Sequence, residues 1–228
     1  MNWRLWLIGR VLMAATCSLF LLPPIPQSQI YHGFADQRAL LGLPHCLDVT
    51  SNVPFLIFGV GGFSLFFPAA PNRVSSIRER WPYFIFFLGV ALTAFGSAYF
   101  HLRPNDSRLV WDRIPMTIGF TGLVAGVVSE RIRVQAGLRL LAPLVALGIG
   151  SVWYWRMTEA AGHGDLRLYG LLQYGSLLAV VLLIALFPPR YTRGADFITS
   201  LLITGLRKVL RLQIDRFSLW AESSAGIR

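Results

Sequence analysis

Charged residues are scarce in this chain of 228 residues. They make up 14% of the sequence, whereas hydrophobic residues make up 54%, and the mean hydropathy is +0.55. Soluble domains carry about 25% charged residues, so the composition argues against a soluble globular protein. The apolar runs are long and closely spaced, and each is near the roughly 20 residues that a helix needs to cross a bilayer. The composition therefore indicates a multi-pass membrane protein.

Lysine is almost absent, with one lysine against twenty arginines. A retinal-type pump needs a lysine in the middle of a helix for its Schiff base. Lys208 instead lies between Arg207 and Arg211 in the least apolar run, which excludes that class. The arginines lie mainly between the apolar runs, as in membrane proteins that are oriented by positive charge. The net charge of +10 therefore does not indicate nucleic-acid binding.

Cysteines and internal repeats are also lacking. Cys17 lies in an apolar run and Cys46 in a connection, so we do not expect a disulfide framework. No convincing repeat relates one half of the sequence to the other. Transporters usually show such repeats, so this absence argues against that class.

Seven apolar runs predict an all-α fold, a polytopic transmembrane helix bundle with six clear spans and one weak span. The first run fits either a signal peptide or an uncleaved span, and the lack of a small-x-small cleavage site favours the span. Basic residues crowd the second half of the last run, which is either a tilted span or an interfacial helix. The runs are residues 3–22, 49–67, 81–102, 107–128, 138–155, 168–187 and, weakly, 195–212.

Polar residues gather at the corner between the third and fourth runs. Ser97 and His101 are four residues apart, so a helix places them on one face. The Pro-Asn-Asp sequence that follows ends this helix. Asp106 or Ser107 can cap the next helix, which carries Asp112. An antiparallel return of this kind would bring the serine, the histidine and the aspartate together.

These three side chains suggest hydrolytic chemistry. A metal bound to His101 could lower the pKa of a bound water and polarise a carbonyl group. Asp112 could take a proton from that water, and Ser97 could donate to a developing oxyanion. A structural interpretation also stays open, with a histidine at the membrane surface, an interfacial aspartate and a serine bonded to its own helix. Ionisable residues at membrane depth favour a functional site.

The Ser-x3-His-x10-Asp pattern of Ser97, His101 and Asp112 resembles the alkaline ceramidase family. This family belongs to a wider group of seven-helix membrane hydrolases that includes the adiponectin-receptor type. The similarity extends upstream to residues 47–55 and downstream through residues 164–167 to about Leu210. It implies zinc-dependent cleavage of the amide bond of ceramide or a related lipid amide. It also implies that His101 is a zinc ligand, that Asp112 handles the attacking water and that Ser97 supports the metal or the oxyanion.

The resemblance divides a single membrane domain, residues 1–228, into three parts. Residues 1–30 are an extra N-terminal span, residues 31–212 a ceramidase-like bundle and residues 213–228 an aberrant tail. The family takes two further zinc ligands from a His-x3-His pair on its last helix, and no histidine follows His163 here. We therefore expect that helix to be missing and the tail to be its frameshifted remnant. The alternative is a catalytically inactive ceramidase-fold protein, either lipid-binding or the product of a damaged gene.

Zinc is the cofactor that the resemblance implies, and a site with one of three histidines predicts weak or no hydrolysis. Calcium, the family's second metal, has only Asp36 and Asp48 as candidate ligands, whereas it takes about six to eight oxygen atoms. The expected partners are a lipid amide substrate within the bilayer and membrane lipids, without nucleic acid. We expect a bacterial inner-membrane protein whose N-terminus lies in the cytoplasm.

Overall fold

Helices make up most of the computed structural model, which describes residues 3–33, 39–40, 42–63 and 77–188. A short hairpin pairs β1 (Ala39–Leu40) with β2 (Leu43–Pro44) in antiparallel register, and a single 3₁₀ turn covers Gln29–His32. The α-helices are α1 (Trp3–Leu21), α2 (Cys46–Thr50), α3 (Val53–Gly62), α4 (Ile77–Leu102), α5 (Asp106–Arg131), α6 (Val134–Ala160) and α7 (Arg167–Leu186).

Four helices of the described part, α1, α4, α6 and α7, are long and apolar enough to cross a membrane. They correspond to the predicted first, third, fifth and sixth runs, so the membrane-helix interpretation is supported there. The predicted second run forms α2 and α3, which are separated at Ser51–Asn52 and together are shorter than a span. Pro54 occupies the first turn of α3, where its missing N–H leaves no donor unpaired. The weak run 195–212 and the tail 213–228 lie outside the described residues.

The predicted fourth run forms α5, but this helix is not among the four apolar ones. It is as long as α4, at 26 residues, yet it carries several charged side chains. Burial explains this composition, because α5 packs against α4, α6 and α7 and most of its residues are buried. A helix that is surrounded by other helices presents little surface to lipid, so its sequence need not be uniformly apolar.

The corner between α4 and α5 forms as the sequence predicts, with one correction. α4 ends at Leu102, just before the Pro-Asn-Asp sequence, and α5 begins at Asp106. The cap is Asn105, whose side-chain oxygen accepts a hydrogen bond from the Arg108 amide at 2.9 Å, so the prediction of Asp106 or Ser107 as the cap is wrong. Asn105 prevails because it has extended backbone angles, whereas Asp106 is already the first helical residue.

Glycines allow α4 and α5 to pack with their backbones in direct contact. A Cβ atom added to Gly89 would overlap the backbone nitrogen of Gly119, and one added to Gly122 would overlap the backbone of Phe86. Close backbone approach through small residues is a common way for helices to associate where lipid supplies no hydrophobic driving force. On the outer side of α4, Gly59 of α3 meets Ala91 in the same way.

We expect the Gly89→Ala variant to lose stability, because its new methyl group must push α4 away from α5. Overpacking of this kind costs about 1–3 kcal/mol of unfolding free energy. The measurement is the free energy of unfolding of the full chain in detergent. Gly150→Ala is the matched control, since a Cβ atom at Gly150 meets nothing within 4 Å and alanine favours a helix. Equal stability of the two variants would contradict the close contact.

Candidate functional site

Gly96 brings α4 into contact with α5 at the level of Asp112. A Cβ atom added to Gly96 would overlap the carbonyl oxygen of Trp111 and would lie 3.3 Å from the Asp112 nitrogen. Gly96 is seven residues after Gly89, or about two helical turns, so both glycines lie on the same face of α4. Ser97, the residue after Gly96, is therefore held close to the start of α5.

Ser97 and Asp112 meet across this contact. Their side chains interact, and each residue keeps only 8% of its surface exposed. A carboxylate is costly to remove from water unless it is hydrogen-bonded or paired, and the serine hydroxyl is a donor placed on the facing helix. The structure therefore brings together two of the three side chains that the sequence pattern singled out.

His101 lies one turn beyond Ser97, in the last turn of α4. Its ring is half-buried and lies 5.5 Å from the Phe100 ring, centroid to centroid. The i and i+4 spacing places His101 on the Ser97 face, but nearer the end of the bundle. Ser97 and His101, here called the polar column, therefore follow one another along α4 toward that end.

The described residues do not assemble a complete metal site. No group of three or more His, Cys, Asp or Glu side chains among them could hold an ion, whereas catalytic zinc takes three protein ligands. His163 lies exposed in the loop after α6, with Nδ1 3.2 Å from the Ala161 carbonyl oxygen. His45 precedes α2 in a left-handed conformation, with a φ of 48°. Of the calcium candidates, Asp48 lies in α2, and Asp36 lies outside the described residues.

Residues 22–33, here called the strap, cross the end of the bundle where His101 lies. The Leu166 amide donates to the Ile25 carbonyl oxygen at 2.8 Å, and the Gln27 amide donates to Glu159 Oε2 at 3.0 Å. At its far end, His32 Nε2 lies 2.9 Å from Asp106 Oδ1. The strap therefore contacts the start of α7, the end of α6 and the start of α5 in turn.

The strap also reaches α4. The rings of Tyr31 and Phe100 stack with centroids 6.2 Å apart, and the His32 ring meets the edge of the same phenylalanine at 5.7 Å. Phe100 directly precedes His101 in α4 and is 1% exposed. The strap thus covers the bundle beside the polar column, a role that its mixed sequence did not predict.

Arg113 of α5 is a buried charged residue that binds the strap from inside the bundle. Its guanidinium lies over the rings of Trp155 at 4.1 Å and Tyr169 at 4.7 Å, and Nη2 donates to Gln27 Oε1 at 2.5 Å. The residue is 6% exposed, and its Nη1 has no hydrogen-bond partner in the described part of the chain. Aromatic faces attract a desolvated cation by about 2 kcal/mol or more, which offsets part of the cost of burial.

A second fixed point is the ion pair of Asp165 and Arg167, in the loop before α7. Arg167 Nη2 lies 2.8 Å from Asp165 Oδ2, and Arg167 Nη1 donates to the Leu22 carbonyl oxygen at 2.6 Å. Hydrogen bonds from Arg167, and to a smaller extent from Tyr154, hold the pKa of the Asp165 carboxyl below its usual value. The Asp-x-Arg spacing of these two residues was the available sequence signal for this pair.

We expect Asp165 to stabilise the fold in its ionised form. A carboxyl whose pKa is lowered by folding contributes fully above its unfolded value of 3.8, and the contribution disappears as the pH falls through the lowered pKa. The Asp165→Asn variant should therefore melt at a lower temperature than the unmodified chain at pH 6. The difference should shrink steadily below pH 3.8. A difference that is constant from pH 6 to the acid limit would contradict the ion pair.

Comparisons with known proteins do not assign the chain to a family. No family model matches it, and no curated protein and no solved structure matches it significantly.

Proposed function

We propose that this chain is a membrane-embedded hydrolase of the alkaline ceramidase type, acting on the amide bond of ceramide or a related lipid amide. The observation that carries the proposal is the buried contact of Ser97 with Asp112 at the Gly96 crossing. An ionisable side chain buried among membrane helices is costly, so the buried Asp112 and its partner on the facing helix favour a functional site. The sequence pattern that resembles the family consists of these two residues and His101.

Asp112 and Ser97 have the groups that amide hydrolysis needs. In the proposed reaction, water adds to the amide carbonyl carbon, and the carbonyl oxygen becomes an oxyanion. Asp112 accepts the proton of the water and returns it to the amine nitrogen as the C–N bond breaks. The Ser97 hydroxyl donates to the oxyanion. The products are a fatty acid and a sphingoid base or a related amine.

Zinc dependence forms part of the proposal through the family resemblance. Bound zinc would supply Lewis-acid activation of water and of the carbonyl group, and His101 is the histidine that the resemblance makes a ligand. The described residues supply fewer than the three ligands of a catalytic zinc site. Asp112 and Ser97 therefore carry the proton transfer and the oxyanion contact of the proposed reaction.

A second candidate function is lipid binding without catalysis. The specific observation in its favour is the same incomplete ligand set among the described residues. In that case Ser97 and Asp112 would hydrogen-bond the amide and hydroxyl groups of a bound lipid. In either case we propose a multi-pass protein of the bacterial inner membrane in which α5 lies within the bilayer as well.

We expect the purified full chain, reconstituted in lipid vesicles, to release fatty acid slowly from a ceramide-like amide. Asp112→Asn should lower the rate by about 10²-fold or more, because it removes the proton acceptor. Ser97→Ala should lower it by about 10²-fold to 10³-fold, because it removes one oxyanion donor. Ser151→Ala is the matched control, since the Ser151 hydroxyl is buried in α6 and donates only to its own helix at 2.7 Å.

Metal content, measured on the same preparations, separates the two candidates. A hydrolase should carry about one zinc per chain and lose activity with a chelator. A non-catalytic lipid-binding protein should carry none and still bind the amide. An unchanged hydrolysis rate in Asp112→Asn would contradict the assigned site.

A further inference from the structure

A shallow, open groove of about 340 Å³ lies between α5 and α6, at the same end of the bundle as the strap. Its α5 wall is formed by Ser107, Val110 and Trp111, and its α6 wall includes Trp153, Arg156 and Met157. Ser107 is the second residue of α5, and Arg156 lies in the last two turns of α6. The groove is therefore at the depth where a spanning bundle meets the lipid headgroups.

The groove contains one charge. Arg156 is partly buried, and its Nη2 lies 3.2 Å from the Ser107 hydroxyl oxygen, which is a neutral partner. No ion pair joins Arg156 to a carboxylate in the described part of the chain, and Glu159, three residues later in α6, accepts with Oε2 from the Gln27 amide and from Trp155 Nε1. The groove therefore offers a guanidinium with free donors and a hydroxyl beside it.

Each wall of the groove carries one exposed tryptophan. Trp111 keeps 60% of its surface accessible and Trp153 keeps 59%. Both lie deeper in the bundle than Ser107 and on either side of the groove, so the cation is at the outer end and the indole rings are toward the membrane centre. Tryptophans at this depth usually contact the glycerol and upper acyl region of lipids.

From this arrangement we infer that the α5–α6 groove is a binding site for one anionic phospholipid. Arg156 and Ser107 bind the headgroup phosphate, for which the planar guanidinium is suited. Trp111 and Trp153 pack on the glycerol and the first part of an acyl chain. A zwitterionic lipid would bring an ammonium group as well, and none of the groove's lining residues is acidic and able to pair with it. The groove thus selects negative headgroups.

The groove is separate from the proposed hydrolytic site. Asp112 faces α4 through the Gly96 crossing, whereas the groove is on the α6 side of the same helix. Lipid binding here therefore does not depend on whether the chain hydrolyses an amide.

The test is native mass spectrometry of the full chain in detergent with equal amounts of phosphatidylglycerol and phosphatidylcholine. We expect the unmodified chain to retain phosphatidylglycerol preferentially. Arg156→Gln should reduce that preference about fivefold, the effect of one basic residue at a lipid surface. Arg156→Lys should keep part of it. Arg108→Gln is the matched control, because Arg108 is a cation at the same end of the bundle that lies over the Tyr99 ring, outside the groove.

Two further measurements complete the test. Phosphatidylglycerol with brominated acyl chains should quench tryptophan fluorescence less in the Trp153→Leu variant than in the unmodified chain. Excess inorganic phosphate should not displace the lipid, because it cannot occupy the aromatic walls. Equal lipid preference in Arg156→Gln and Arg108→Gln would overturn the inference, and so would displacement by inorganic phosphate.

Discussion

The close contact between α4 and α5 is the interaction on which the rest of the structure depends. Gly89 and Gly96 remove the side chains that would otherwise separate the two helices. The contact sets which residues face each other, so it decides that Asp112 meets Ser97 and not lipid. It also makes α5 the inner helix, with α4 on one side and α6 and α7 on others. If α4 were shifted by one residue along α5, Ser97 and Asp112 would no longer face each other.

Two charged residues, Asp112 and Arg113, are buried near one end of the bundle, and each contacts polar or aromatic side chains there. Asp112 faces the Ser97 hydroxyl, and Arg113, the next residue, points instead to Trp155, Tyr169 and Gln27. Two adjacent charges on one helix are thus directed to different neighbours. Gln27 of the strap accepts a hydrogen bond from the second of them, and the strap also covers the end of the bundle. Arg113 keeps a buried Nη1 without a hydrogen-bond partner in the described part, which is uncommon in native structures.

Local features of the site could be predicted from the sequence. The four-residue spacing of Ser97 and His101 and the Pro-Asn-Asp corner correctly gave a helix end, a turn and a second helix carrying Asp112. Even there the capping residue was misassigned, because Asn105, Asp106 and Ser107 are all good caps and only the backbone angles separate them. The seven-residue spacing of Gly89 and Gly96 was a usable signal of close packing.

Long-range contacts could not be predicted in the same way. Arg113 and Gln27 are 86 residues apart, and no periodic pattern links them. The strap has no regular secondary structure beyond one 3₁₀ turn, so its sequence carries no hydrophobic period that would place it on the bundle. The central position of α5 was likewise hidden, because a helix buried by other helices and a polar surface helix have similar compositions. Whether a helix is buried depends on the other helices that pack against it, and these cannot be identified from the sequence of that helix alone.

The most direct test of this account is a double-mutant cycle between Ser97→Ala and Asp112→Asn. The free energy of unfolding would be measured in detergent for the unmodified chain, both single variants and the double variant. If the two side chains interact across the Gly96 crossing, the effects should be non-additive, with a coupling of about 0.5–3 kcal/mol. Additive effects, within about 0.3 kcal/mol, would show that Ser97 and Asp112 do not meet, and the proposed site would then lose its basis.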